Sequence, residues 1–378
     1  MKLPSKCANL VCCIVLRSML DFGRVMFRLV CALPSLALVI ALGFIPAYAQ
    51  VLVTSNVSPS VPPNPISIVD SNPASPTFNT VTSTVDNNEL HSTSTMAFSP
   101  DGAYAYLTGD VPGVEAVNLL FNSVDGFIDA GFGPPEATFM DVGPDGTGYV
   151  AGYGAGNPRV VVINTLDRSI VATIPLDGSP APVPASVAVR PDGGVVYVLV
   201  DWLSSVARIL VISADTREVV AVIPVPRVST GVSFTPDGAY AYVKTKSNDC
   251  GSSAPNVQII DTLTNQIVAE VPGTRCANDI AFRPDGAAAY ITYYNFGGFF
   301  GVVRVVDTGT RTVVDTISLP GNPINTYGIT VSSQGYAYVE ATNQDGTPTV
   351  FVIYTLTDNV VGTVSGLPSG FPAIMKAM

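Results

Sequence analysis

The sequence has few charges, a single histidine and no long helical period after residue 50. Only 12% of its 378 residues are charged, and 18 Lys and Arg face 29 Asp and Glu. Nucleic acid is a polyanion that proteins bind with clustered positive charge, whereas the positive charges here are spread singly. We therefore set nucleic-acid binding aside. The only histidine, His91, has no Gly-x-Ser-x-Gly elbow or Gly-rich phosphate loop beside it, so the sequence names no Ser-His-Asp or phosphate site.

The first 49 residues differ in composition from the rest. They are basic and contain an apolar run from Leu36 to Ile45, followed by the small residues Ala47-Tyr48-Ala49 before Gln50. This pattern predicts a cleaved signal peptide over residues 1–49, and hence a secreted or periplasmic protein. Two alternatives stay open: translation could begin at Met26, and the leader could be kept as a membrane anchor, although its apolar run is short for a bilayer span.

Residues 50–378 are strongly acidic and hold few cysteines. The leader, residues 1–49, contains five basic side chains and one acidic one. Residues 50–378 therefore contain 13 Lys and Arg and 28 Asp and Glu, which gives a net charge of −15. Four of the six cysteines also lie in the leader, so Cys250 and Cys276 remain. Two thiols cannot complete a zinc shell, and an exported chain meets an oxidising compartment. We expect a Cys250–Cys276 disulfide, with two free thiols as the alternative.

A tripeptide repeats along the chain at a period in the forties. Pro-Asp-Gly occurs at residues 100–102, 144–146, 191–193, 236–238 and 284–286, and Ser-Gln-Gly takes the next expected place at 333–335. Each copy lies between two strand-like segments, so we interpret it as a hairpin turn in which Asp bonds back to the backbone and Gly adopts a left-handed conformation. A period of this size is that of one four-stranded propeller blade.

The second strand of each unit ends in a characteristic tetrapeptide. The six copies are Tyr106-Leu107-Thr108-Gly109, Tyr149-Val150-Ala151-Gly152, Tyr197-Val198-Leu199-Val200, Tyr242-Val243-Lys244-Thr245, Tyr290-Ile291-Thr292-Tyr293 and Tyr338-Val339-Glu340-Ala341. The chain thereby resembles the YVTN repeat family of β-propellers, which are WD40-like repeat proteins. The resemblance covers nearly all of residues 50–378 and implies an architecture, but it carries no single activity.

The strand count predicts how the ring closes. Six anchored units give six blades, and three further strands precede them, at 51–55, 66–70 and 79–85. The strand missing from this group is expected at the other end of the chain, in residues 371–378. We therefore predict an all-β, seven-bladed propeller over residues 50–378, closed by pairing of the C-terminal strand with the N-terminal strands, which removes free sheet edges.

Binding is expected on the face that carries the loops between the second and third strands and between successive blades, which we call the loop face. Irregular loops on a rigid scaffold are the usual place for recognition. One of these loops, residues 293–300, holds five aromatic residues, and another holds Trp202, the only tryptophan of the sequence. The candidate binding residues are Asp201, Trp202, Tyr293, Tyr294, Asn295, Phe299 and Phe300. Their aromatic rings could stack on a sugar or anchor a protein, or could simply cover their own blades.

Two aspartates stand out among the first strands when these are aligned on their turns. Asp141 falls in a column of small residues, and Asp279 is the only charge in its own column. Together with Glu136, they could converge as oxygen ligands of a divalent cation such as calcium; the other interpretation is that they are polar residues bonded to water.

The favoured function is a noncatalytic binding or scaffold propeller outside the cytoplasm. We expect it to recognise a protein or a glycan through the loop face, as a monomer without a cofactor. The alternative is a lactonase-type propeller hydrolase that uses a carboxylate-bound divalent cation at Glu136, Asp141 and Asp279, and this rests on fold analogy. A redox partner would need a haem or quinone site that these residues do not supply.

Overall fold

A computed structural model of the chain describes residues 50–56, 64–87, 93–109, 112–132, 138–154, 157–177, 182–200, 207–226, 229–245, 254–293, 301–367 and 371–377. The regular elements of these residues are β-strands. In the same ranges, no helix has the length and apolar character needed to cross a bilayer.

Three strands precede the repeated units: β1 (Gln50–Asn56), β2 (Asn64–Asp70) and β3 (Val81–Asn87). The first blade contains β4 (Thr93–Phe98), β5 (Tyr104–Gly109), β6 (Gly113–Asn118) and β7 (Ser123–Asp129). The second blade contains β8 (Phe139–Val142), β9 (Thr147–Gly154), β10 (Asn157–Asn164) and β11 (Ile170–Pro175). The third blade contains β12 (Pro184–Val189), β13 (Val195–Val200), β14 (Ala207–Ser213) and β15 (Val219–Val225).

The second half of the chain continues the same order. The fourth blade contains β16 (Ser229–Phe234), β17 (Tyr240–Thr245), β18 (Val257–Asp261) and β19 (Gln266–Val271). The fifth blade contains β20 (Ala277–Phe282), β21 (Ala288–Tyr293), β22 (Val302–Asp307) and β23 (Thr312–Ser318). The sixth blade contains β24 (Asn325–Val331), β25 (Tyr336–Thr342), β26 (Pro348–Tyr354) and β27 (Asn359–Thr363), and β28 (Phe371–Ala377) ends the chain's strands.

The repeated tripeptide forms the turn between the first and second strands of a blade. In the first blade, Asp101 Oδ1 accepts hydrogen bonds from the Ser99 hydroxyl (2.6 Å) and the Ala103 amide (3.0 Å). The Ser99 hydroxyl and the Ala103 amide lower the pKa of Asp101. Gly102 has a φ of 68°, a conformation that side chains with a Cβ rarely adopt. These aspartates hold turns, as the repeat predicted.

Six blades, not seven, are formed by four consecutive strands. The remaining four-stranded sheet, which we call the closing sheet, has the order β28-β1-β2-β3 and is assembled from both ends of the chain. The predicted count of seven blades was therefore wrong: the described residues form six blades of consecutive strands, and the closing sheet is a separate sheet built from both chain ends. β28 runs antiparallel to β1, with Val53 opposite Met375 and Thr54 opposite Ile374.

The closing sheet also contacts the sixth blade. The Ala377 amide donates to Thr330 Oγ1 at 2.9 Å, and the Val81 amide donates to the Ser365 carbonyl at 3.0 Å. The Tyr338 hydroxyl donates to Asn79 Oδ1 at 3.0 Å. β28 lies beside β24 on one side and β4 on the other, so the two chain ends together fill the place between the sixth and first blades.

The hydrophobic core lies between successive blades. One cluster joins Tyr106 and Val114 of the first blade to Met140 and Val161 of the second, and comparable clusters join the later blades. Each strand buries alternate side chains against the neighbouring blade, because sheets that pack face to face interdigitate their facing side chains. The stability of every blade therefore depends on its neighbours.

Candidate functional site

Polar side chains on the innermost strands connect each blade to the next. In four described cases, a side-chain oxygen of one innermost strand accepts a hydrogen bond from a backbone amide of the next. The pairs are Thr95 Oγ1 with Met140 N (2.8 Å), Asp141 Oδ2 with Val189 N (2.9 Å), Asp279 Oδ2 with Ile329 N (3.1 Å) and Thr330 Oγ1 with Ala377 N (2.9 Å). The two aspartates singled out in the sequence thus satisfy buried backbone donors between blades.

Asp279 has a second role, as one half of an ion pair with the fourth blade. Lys244 Nζ lies 2.7 Å from Asp279 Oδ1, and their side chains are 19% and 29% exposed. Lys244 is on β17 and Asp279 is on the innermost strand β20. The pair is half-buried, so it is screened less than a surface ion pair and still meets solvent.

Glu340 lies next to this pair on β25. Its side chain is 2% exposed, and its Oε2 atom has no hydrogen-bond partner. The pKa of Glu340 is raised to about 8, mainly by burial; a hydrogen bond from the Gly328 amide lowers it, and the negative charge of Asp279 adds to the rise. Glu340 is therefore a neutral carboxylic acid at pH 7, which can donate a hydrogen bond from one oxygen.

Two glycines provide the space that these long side chains occupy. A Cβ atom on Gly231 would lie 2.4 Å from Lys244 Cε, so Lys244 can cross β16 only because residue 231 has no side chain. A Cβ atom on Gly328 would lie 3.5 Å from Glu340 Oε2 and 3.9 Å from Asp279 Oδ2. The carboxyl groups of Glu340 and Asp279 therefore both lie close to the backbone of Gly328.

We call Lys244, Asp279 and Glu340 the charged arc, because they come from three successive blades. Lys244 is the penultimate residue of β17, and Asp279 is near the start of β20. Both positions are at the strand ends from which the loop-face loops leave. The charged arc therefore lies at the inner, loop-face end of the blades, where Lys244 and Asp279 are partly exposed and Glu340 is buried.

Sequence reasoning missed Lys244 and Glu340, although a signal was present. Both occupy the third place of the tetrapeptide that ends the second strand. The other four blades have Thr108, Ala151, Leu199 and Thr292 at this place. A comparison of the third tetrapeptide residue across the six blades would have found Lys244 and Glu340 as the two charged residues at this place.

Of the predicted loop-face residues, the structure describes Tyr293. It ends β21, packs against the cluster between the fourth and fifth blades, and has the Arg304 guanidinium carbon 5.0 Å from its ring centre. Burial raises the pKa of Tyr293. This placement favours a packing role for Tyr293. The other candidates lie outside the described residues: Asp201, Trp202, Tyr294, Asn295, Phe299, Phe300, Glu136, Cys250 and His91.

The predicted cation ligands are not brought together among the described residues. Asp141 is in the second blade and Asp279 in the fifth, and each is bonded to the blade that follows it. The described ranges contain no group of three His, Cys, Asp or Glu side chains arranged for a metal ion. The divalent-cation alternative, which also needs Glu136, stays a prediction.

Cys276 is buried and has a φ of 58°. Cys250 lies outside the described residues. The specific pairing with Cys250 stays a prediction.

The substitution Glu340→Gln is expected to stabilise the protein at alkaline pH and to change little at or below pH 4.5. The pKa of about 8 in the folded state lies above the ordinary value of 4.5, so the folded protein holds this proton more tightly than the unfolded chain does. The carboxyl group costs little below pH 4.5; its cost grows by about 1.4 kcal/mol per pH unit between pH 4.5 and pH 8, and it levels off at higher pH. Denaturant unfolding at pH 4.5 and pH 9 measures the difference; an equal effect at both pH values would contradict a buried neutral acid.

Comparison with known proteins gives the fold. No protein-family model and no curated protein matches the chain. Among solved structures, hydrazine synthase of Kuenenia stuttgartiensis matches with a TM-score of 0.57 and 20% identity, over 82% of this chain and 95% of that one. The β-propeller domain of Cps50 (Swd1) of Myceliophteria thermophila matches with a TM-score of 0.57 and 14% identity, over 77% of this chain and 90% of that one.

The fold is a β-propeller. A third structure, dihydro-heme d1 dehydrogenase NirN in complex with DHE, matches with a TM-score of 0.55 and 16% identity, over 87% of this chain and 75% of that one. At these identities, the propeller architecture is what the chain shares with its neighbours. The narrower resemblance to YVTN repeats has no matching family model.

Proposed function

We propose that this protein is a noncatalytic binding propeller of the YVTN repeat type, which recognises a protein or glycan partner through its loop face. The observation that carries this proposal is the charged arc. In it, the partly exposed Lys244–Asp279 ion pair lies beside the buried acid Glu340. Binding sites combine a rigid frame with a few fixed polar groups in this way.

The contacts that Asp279 makes favour a ligand-binding function over a hydrolytic one. Its two carboxylate oxygens accept from Lys244 Nζ and from the Ile329 amide. A carboxylate whose two oxygens already accept hydrogen bonds is poorly placed to take a proton from a substrate. Asp279 is well suited to orient a ligand, since its two bonds fix its position.

We also propose that the protein is located outside the cytoplasm and that it is a monomer. Residues 1–49 have the pattern of a cleaved signal peptide, so we place the protein in the periplasm or outside the cell. The net charge of −15 for residues 50–378 disfavours association of like copies and supports a monomer.

A binding screen tests the loop face. The purified protein would be applied to a glycan array and to extracytoplasmic protein fractions, and every hit would be measured with Trp202→Ala and Phe299→Ala. The matched control is Leu263→Ala, because Leu263 is 90% exposed in the turn between β18 and β19, at the opposite end of its blade.

Loss of binding by at least tenfold in the loop-face variants, with Leu263→Ala unchanged, is the expected result. An aromatic anchor at the centre of an interface is worth about 2 kcal/mol or more. Hits that depend on Leu263 and not on Trp202 or Phe299 would place recognition on the other face, and the absence of any hit would reject the proposal.

A further inference from the structure

The outer rim of the propeller has an open cavity between the second and third blades. Its volume is about 460 Å³, and it is lined by side chains of β11, β14 and β15. Ile174 and Leu210 are buried and line its floor, whereas Val219 and Val222 of β15 are 39% and 55% exposed. Pockets that bind ligands commonly have volumes of about 300–1,000 Å³. The cavity therefore presents apolar surface to solvent beside the outermost strand of the third blade.

That outermost strand, β15, has a neighbour on one side only. Among the described strands it pairs with β14, and no strand pairs with its outer edge. The backbone amides and carbonyls that point away from β14 can therefore pair with an added strand. Pro224 has no amide hydrogen, so we expect pairing over residues 219–223.

The two outermost strands that flank the cavity differ from the others in charge. Proteins protect exposed sheet edges from unwanted pairing with charged side chains. The outermost strands of the first, fourth and fifth blades contain Asp125, Glu270 and Asp315. That of the sixth blade has five residues and includes Gly362, which has no side chain to pack. Neither β11 (IVATIP) nor β15 (VVAVIPV) contains a charged residue, so these two edges lack this protection.

Charge at the cavity matches an uncharged segment of another protein. Asp177 and Arg208 line its loop-face end, and Arg217 and Glu218 line the opposite end. The cavity thus has no net charge, whereas residues 50–378 carry a net charge of −15. A second copy would bring the same negative charge towards it and be repelled, but an uncharged segment would not.

We infer that the outer edge of β15 and the adjoining cavity bind an uncharged, extended segment of another protein. This segment adds a fifth strand to the third blade and places apolar side chains in the cavity. In such strand addition, backbone hydrogen bonds provide affinity and the pockets for alternate side chains provide specificity. The site lies on the rim, so it is separate from the loop face and does not depend on the function proposed for that face.

The test uses a fluorescein-labelled heptapeptide of alternating valine and threonine, titrated with the full protein and followed by fluorescence anisotropy. Saturable binding is expected. Val222→Glu should weaken it about tenfold or more, because a carboxylate would be covered without a partner. The fourth blade has Glu270 at the register position of Val222, so the variant is expected to fold. The matched control, Val268→Glu on β19, changes a residue that is 44% exposed and should bind like the wild type.

Two N-methylated peptides distinguish strand addition from apolar contact alone. One carries methyl groups on the amides of its valines, and the other on the amides of its threonines. Successive amides of a strand point to opposite sides, so only one of the two sets can pair with β15. One methylated peptide should therefore lose binding, while the other should still bind.

Three results would overturn the inference: no saturable binding of the unmethylated peptide, equal affinity for the wild type and Val222→Glu, or equal binding of the two methylated peptides. Analytical ultracentrifugation of the protein alone examines the other occupant. Concentration-dependent association that Val222→Glu abolishes would make a second copy the occupant of this edge, and would likewise overturn the inference.

Discussion

Deletion of residues 371–378 is expected to unfold the whole propeller. β28 pairs with β1 over Val51–Asn56 and lies between β24 and β4, so its loss exposes β1 and separates the sixth blade from the first. Each lost backbone hydrogen bond costs about 1 kcal/mol, so a strand costs about 5 kcal/mol, comparable with the whole stability of a domain of roughly 5–15 kcal/mol. Thermal unfolding followed by circular dichroism would show a strongly lowered or absent transition.

Complementation provides the control for this deletion. A synthetic peptide of residues 369–378, added to the truncated protein, should restore part of the transition in a concentration-dependent way, because it binds only the folded ring. Removal of Met378 alone should leave the melting temperature nearly unchanged. A truncated protein that melts cooperatively at the wild-type temperature would show that the closing sheet does not hold the ring together.

The substitution Tyr290→Ala is expected to destabilise the protein by about 3–5 kcal/mol, the range for removal of a large buried ring. Five tyrosines of the second strands are fully buried: Tyr106, Tyr197, Tyr242, Tyr290 and Tyr338. The Tyr290 hydroxyl donates to the Thr355 carbonyl of the sixth blade at 2.9 Å. The Tyr106 and Tyr197 hydroxyls likewise reach the next blade, at Thr165 O and Asn265 Oδ1, both at 2.6 Å.

Two variants separate the contributions of the Tyr290 ring and hydroxyl. Tyr290→Phe keeps the ring and should cost about 1–3 kcal/mol, since the Thr355 carbonyl and Asp358 lose a donor. Tyr240→Ala removes a half-buried ring that lies against Arg311, and should cost less than Tyr290→Ala. Urea unfolding gives the three values, and a Tyr290→Ala effect no larger than that of Tyr240→Ala would show that the buried Tyr290 ring does not stabilise the contact between the fifth and sixth blades.

The sequence predicted the strands because the repeat imposes local constraints. Pro-Asp-Gly fixes a turn through Asp101 and its equivalents, and the conserved spacing places a strand on each side. Such signals depend on a few neighbouring residues and can be identified without the fold. The sequence also predicted that the closing sheet is assembled from both ends of the chain, because residues 51–85 supply three strands and residues 371–377 supply one.

The role of the odd aspartates could not be predicted in the same way. Alignment found Asp141 and Asp279, but their partners are backbone amides of Val189 and Ile329, 48 and 50 residues later in the chain. A backbone amide leaves no mark in the sequence, so two unusual carboxylates suggested a cation instead. Glu340 was missed for a related reason, because its raised pKa comes from burial by other blades.

The most direct test of the account is hydrogen exchange with and without a ligand found in the binding screen, followed by mass spectrometry at pH 6.5. The account predicts slower exchange at the loop-face ends of β17, β20 and β25, which carry Lys244, Asp279 and Glu340, and no change at the turn of residues 261–265 on the opposite face. Slower exchange confined to that turn, or no change with any such ligand, would contradict the charged arc as the binding centre of this propeller.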